Sequence, residues 1–114
     1  MAINRHMTIT IPSESLLSEG FQLDGGTFIG ILMPDFFSGQ SLTFEILRPS
    51  DEVFLPHFDS LGEQISIAVA PSRSIALDED IKGLPTRGFL RVRANQTQAQ
   101  DAQLICVITE EKWL

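Results

Sequence analysis

The chain has 114 residues and a mass of 12.7 kDa, is 43% hydrophobic and 20% charged, and has a mean hydropathy of +0.10. Those values suit one packed domain and exclude a disordered polyelectrolyte. Eight basic against fifteen acidic side chains leave a net charge of −7, which repels phosphate and disfavours nucleic-acid binding.

In chain order the pattern is short strands with frequent punctuation. Met7-Thr8-Ile9-Thr10-Ile11 alternates polar and apolar until Pro12 stops it, as in a half-buried strand. Residues 13–20 are too few to stand alone as a helix and predict a helical turn or a loop. Phe21-Gln22-Leu23 resumes the alternation, and Asp24-Gly25-Gly26 predicts a hairpin turn. Residues 27–33 form a nearly continuous apolar strand, ended by Pro34 and followed by a loop with two large aromatics, Phe36 and Phe37. Residues 41–47 put Leu42, Phe44 and Ile46 on one face and Thr43 and Glu45 on the other.

Pro49-Ser50-Asp51 predicts a turn, and Pro56 demotes residues 52–58 to an edge or bulged strand. After a turn at Ser60-Leu61-Gly62, residues 64–70 point Ile65, Ile67 and Val69 inward. Ser74-Ile75-Ala76-Leu77 is a short strand, and 78–83 an acidic turn. In 88–93, Leu90 and Val92 face one way and Phe89, Arg91 and Arg93 the other. A polar, Gln-rich loop over 95–101 leads to a strong last strand, 103–109. Residues 1–6 read as a possible flexible arm and 110–114 as a tail.

About eight strands at this spacing, without an amphipathic helix, predict an antiparallel sandwich or barrel within a single domain, 1–114. The connections are too short for the crossovers of a parallel α/β fold. No apolar run reaches membrane-spanning length, and residues 1–7 lack the apolar stretch of a signal peptide.

The candidate chemistry is thin. His6 and His57 are the only imidazoles; His57 lies near Glu52, Asp51 and Asp59, but a histidine beside Pro56 in a polar loop is usually plain surface. Asp78-Glu79-Asp80 lacks the spacing of a Ca²⁺ loop and reads as a solvated turn. The lone Cys106 sits in an apolar run as a small hydrophobe, and allows neither an intrachain disulfide nor a cysteine-based zinc site. No catalytic residue, metal or cofactor is expected.

Arg87, Arg91 and Arg93 form the only basic cluster. The simpler expectation for Arg91 and Arg93 is cross-strand pairing with acids such as Glu45; the alternative is an arginine–aromatic docking strip with Phe89. Phe36, Phe37 and Trp113 are large apolar groups in segments expected to be exposed, so they fold back or meet another chain.

Several segments in fixed order resemble a family of small virion proteins of tailed bacteriophages. They are Leu23-Asp24-Gly25-Gly26, Gly30-Ile31-Leu32-Met33-Pro34, Leu42-Thr43-Phe44, Ser74-Ile75-Ala76-Leu77-Asp78 and Gly88-Phe89-Leu90-Arg91-Val92-Arg93. The chain departs from the family pattern in loops, at Arg48-Pro49-Ser50-Asp51, His57-Phe58-Asp59 and Arg93-Ala94-Asn95. The resemblance implies a β-sandwich of jelly-roll type that decorates or cements a capsid. It also implies an oligomer, dimer or trimer, bound to the major capsid protein on the exterior of a virion made in the bacterial cytoplasm. The expected interface is Phe36, Phe37, Phe89, Arg91, Arg93 and Trp113. The rival expectations are a tail, neck or baseplate module that binds glycan or another tail protein, and a cupin-type metalloenzyme, for which two distant histidines are too few.

Overall fold

Strand β8 lies between β1 and β2, so the last strand of the chain is enclosed by the first two. This arrangement comes from a computed structural model that describes residues 2–77, 84 and 87–111, the side chains of 2 and 111 excepted. The strands are β1 (Ala2–Ile11), β2 (Thr27–Leu32), β3 (Ser41–Arg48), β4 (Val53–Pro56), β5 (Ser66–Ala68), β6 (Ser74–Ala76), β7 (Leu90–Ala94) and β8 (Ala102–Glu111). No helix occurs among the described residues. The first sheet has the order β1-β8-β2-β6, with every pairing antiparallel.

The second sheet is built on β3. Leu42 and Thr43 face both β5 and β7, while Glu45 and Ile46 face both β4 and β7. A strand has only two edges, so β7 takes one and β5 and β4 share the other in succession. The free edge of β7 is covered by residues 16–21. Phe21 and Leu90 exchange backbone hydrogen bonds of 2.8 and 2.9 Å, and Ala94 N donates to Leu16 O at 2.8 Å. The antiparallel pairs are therefore nested: β1 with β8, residues 16–21 with β7, β2 with β6, and β3 with β4 and β5. A ribbon paired in this way and rolled into two layers is a jelly roll, as expected.

The alternation of the sequence decides which face each strand buries. On β3 and β7, Leu42, Phe44, Leu90 and Val92 are wholly buried; on β1 and β8, Ile9, Ile11, Leu104, Cys106 and Ile108 are. Phe28 of the first sheet lies edge-on to Phe44 of the second, with ring centroids 6.0 Å apart, and to Phe21 at 6.4 Å. These rings join the layers across the core, each large side chain contributing about 1.5–3 kcal/mol by leaving water.

The structure departs from the expectations in three places. Residues 2–6 belong to β1 rather than to an arm, and 110–111 to β8 rather than to a tail, because each end supplies the other's ladder, with Ala2 opposite Glu111 and Arg5 opposite Ile108. Residues 13–20 form no helical turn, since their backbone is engaged by β7 and by Gln98. The Asp24-Gly25 turn has positive φ at both residues (52° and 85°) and a Gly26 N–H to Leu23 O bond of 2.9 Å, which is type I′ geometry. It is not a hairpin, however: it carries the chain from the second sheet at Phe21 to the first at β2.

Candidate functional site

The outer face of the second sheet carries the strip expected from 88–93. Because β7 is antiparallel to β3 with Glu45 opposite Arg91 and Thr43 opposite Arg93, both arginines stand on the side away from the core. Glu45 is buried beneath them. Arg91 NH2 lies 2.7 Å from Glu45 Oε1 and Arg93 Nε lies 2.9 Å from Oε2, so one carboxylate holds two guanidinium groups, one oxygen each. Arg91 also lies over the ring of Phe54 on β4, 4.2 Å from its centroid. Phe89 is 43% exposed at the Leu90 end of the strip, beside Gly20, Leu47 and Phe54.

The electrostatics follow from that geometry. Burial disfavours the charged form of Glu45, but hydrogen bonds from Arg93 and Arg91, with their charges, outweigh it and hold the carboxyl below its ordinary value. The simpler expectation, ion pairing within the sheet, is what the structure shows for both arginines. The outcome is a surface of planar cations and aromatic rings braced by Glu45 and Phe54.

Phe36 and Phe37 are not part of this strip. They lie in a loop held to the opposite end of β7 by the 95–101 loop. Asn95 Oδ1 accepts from Gln40 N at 2.9 Å, and Gln98, itself buried, clamps Ser38 through Ser38 N to Oε1 at 3.0 Å and Nε2 to Ser38 O at 2.8 Å. The clamp splits the aromatic pair: Phe37 packs against the core, whereas Phe36 remains 70% exposed. Asp35, Phe36, Pro71, Gln98 and Gln100 border a cleft of about 280 Å³ there. Trp113 and Asp78-Glu79-Asp80 lie outside the described residues.

No protein-family model and no curated protein matches the sequence. Among solved structures, the crystal structure of the SPBc2 prophage-derived protein YomS is similar to this chain. The two superpose over 95% of this chain and 96% of that one with a TM-score of 0.52, at 13% sequence identity. At that identity the likeness is one of fold, and it extends over nearly the whole of both chains.

The remaining candidates stay apart. Cys106 is buried in β8, and burial, reinforced by the charge of Glu19, pushes its thiol up to about 12, so the thiolate needed for nucleophilic chemistry is scarce at neutral pH. His6 is on β1 in the first sheet, and His57 follows β4 in the second. No group of three His, Cys, Asp or Glu is close enough to hold a metal ion among the described residues. The sequence reading missed Phe54, which supports Arg91, and the exposure of Phe58 (50%) and Leu61 (88%) at the turn after β4. The alternation Phe54, Pro56 was a partial signal, which the β3–β4 register completes by placing both on the same side as Glu45.

Proposed function

We propose that this chain is a structural protein of a tailed-bacteriophage particle that decorates or cements the capsid by bridging neighbouring subunits of the major shell protein. The carrying observation is the braced strip of Phe89, Arg91 and Arg93 over Glu45 and Phe54, a preorganised arginine–aromatic surface of the kind enriched at protein interfaces. Two further features support the reading. The fold is shared almost end to end with a prophage-derived protein, and many copies on a shell would multiply a modest contact by avidity. The site belongs on the virion exterior in this reading, and the acidic character of the chain suits a position away from packaged DNA.

The test is occupancy on purified particles. The wild-type chain is expected in hundreds of copies per particle, on the order of the shell protein, as avidity across a shell requires. Phe89→Ala and Arg93→Ala are expected to lower retention, the arginine variant with altered salt dependence. Undiminished occupancy of both variants across a salt series would discard the strip as the docking site. Absence of the chain from particles would discard the function.

One observation favours a second reading, a tail or baseplate module that binds glycan. Phe36 presents a largely exposed ring beside the cleft, with Asp35 and Gln100 as polar neighbours. Six to twelve copies per particle, together with glycan binding lost in Phe36→Ala, would select it over decoration.

A further inference from the structure

The outer face of the second sheet is graded along β3. Cross-strand register places Phe54, Leu47 and Phe89 in one row, Pro56, Glu45 and Arg91 in the next, and Ser66, Thr43 and Arg93 in the third. Successive rows on one face of a sheet are about 7 Å apart. The first row bounds a groove of about 390 Å³, whose remaining walls are Gly20 and Glu52. A Cβ at Gly20 would lie 3.2 Å from Phe54 Cζ and 3.5 Å from Phe89 Cδ1, so the two rings meet over bare backbone there. Glu52 precedes Phe54 by two residues, on the side away from the arginines. The groove therefore has an acid at one end and two cations at the other. Charge is unbalanced at the cationic end. Arg48 is matched by Asp51 at 2.6 Å, whereas Arg91 and Arg93 share the single carboxylate of Glu45. Both oxygens of Glu45 are engaged, and Arg93 spends only Nε on them; among the described residues nothing accepts from its two terminal nitrogens. The Arg93 side chain is 41% exposed, so that planar fork of donors is open to a partner.

We propose that the strip takes an extended protein segment that carries a large apolar side chain and a carboxylate two residues apart, the apolar group in the groove and the carboxylate on the Arg93 fork. This rests on the reading of the strip as the docking surface and names the chemistry of what docks there. Glu45, in the middle row, holds Arg93 Nε at 2.9 Å. That draws the guanidinium back from its own row, to about one row spacing from the rings. An extended chain places side chains i and i+2 on the same face at that same spacing, so both contacts form at once. The guanidinium and a carboxylate match as two parallel N–H to O bonds. Glu52 repels a carboxylate from the far end of the groove, which fixes the end at which the acid sits. A nucleic acid also offers anions and rings that stack, but a polyanion is repelled by the net charge of −7, whereas a single carboxylate meets the local excess of positive charge.

The test is an NMR titration of the purified, isotope-labelled chain with two blocked pentapeptides, Ac-Ser-Phe-Ser-Glu-Ser-NH2 and Ac-Ser-Glu-Ser-Phe-Ser-NH2. At least one should bind with a Kd in the millimolar range and shift the resonances of Leu47, Phe89 and Arg93 Nε. Exchanging the peptide's Glu for Gln should weaken binding about fivefold, and its Phe for Ala about tenfold. Arg93→Gln should remove the preference for acid over amide, whereas Arg73→Gln, the same charge change at an exposed position next to β6, should keep it. Phe89→Ala should weaken the acid and amide peptides alike. No binding of either peptide at about 10 mM, an acid bound no tighter than its amide, a preference that survives Arg93→Gln, or a deoxythymidine decamer that binds the strip more tightly than the peptides would each overturn the proposal. The particle test fails separately. Loss of Arg93→Ala from particles with no acid preference in the peptides keeps the docking strip and overturns this partner; undiminished occupancy with a clear acid preference discards the role on the particle and upholds the recognition.

Discussion

Glu45 and Arg91 stand directly opposite each other on β3 and β7, 2.7 Å apart, and Glu45 gives its second oxygen to Arg93. The carboxylate is therefore the hub and each arginine a spoke. Replacing Glu45 with alanine leaves two partly buried guanidinium groups without their acceptor and should cost about 2 kcal/mol, below the range for a fully buried pair because Arg93 keeps much of its hydration. Arg93→Ala should cost under about 1 kcal/mol, since Arg91 still holds the carboxylate. Urea denaturation of the three proteins checks the order.

The same hub sets an acid dependence. The Glu45 carboxyl is held below its ordinary value of 4.5 in the folded chain. Its contribution is complete above 4.5, where it is ionised folded and unfolded, and is lost as pH falls from there through the lower folded value. Asp51, lowered by its hydrogen bond from Arg48, acts in the same direction at the surface. Urea midpoints measured against pH should therefore fall on the acid side, and Glu45→Gln should flatten that slope while lowering stability at neutral pH.

Gly25 and Gly26 should respond differently to alanine. At Gly25 the φ of 85° disfavours any side chain, but a Cβ would meet only the Arg87 guanidinium at an ordinary 3.8 Å, so Gly25→Ala should cost about 1 kcal/mol. At Gly26 a Cβ would come within 2.4 Å of Ile108 Cγ2 and 3.2 Å of two backbone oxygens, so something in the core must shift, at a cost of about 2 kcal/mol or more. Thermal melting of the two variants separates turn strain from crowding.

Gln98→Ala removes a side chain that serves both the N–H and the C=O of Ser38. About 2 kcal/mol of stability should be lost, concentrated in the 35–38 loop. Hydrogen exchange should show faster exchange at Ser38 while Phe44 and Leu104 in the core strands keep their protection.

Cys106 should resist thiol reagents in the native protein and react on unfolding, because it is buried and its thiol is held near 12. Its labelling rate then reports global opening; fast labelling without denaturant would contradict the packing of β8.

The strands were legible wherever alternation was strict. Leu42, Phe44, Leu90 and Val92 alternate with polar or charged neighbours, and the structure buries that set. Pro56 in β4 signalled an edge, and among the described residues β4 has β3 as its one strand neighbour. The ends of β1 and β8 were illegible because neither 2–6 nor 110–111 shows alternation strong enough to announce a strand; each is ordered by a partner more than a hundred residues away. Residues 16–21 were obscured for the same reason, as their order depends on the edge of β7. The Arg–Glu45 pairing was foreseeable from polar positions on two strands, but the stacking on Phe54 needed the β3–β4 register, which composition does not carry.

The enclosure of β8 also governs how the molecule comes into being. On the ribosome, β1 and β2 emerge long before the segment that joins them, and the first sheet cannot close until residues 102–111 have left the exit tunnel. Until then β1 and β2 wait with open edges, so closure of the first sheet is set by the emergence of β8, and a product cut short before it would leave that sheet as two separate ribbons.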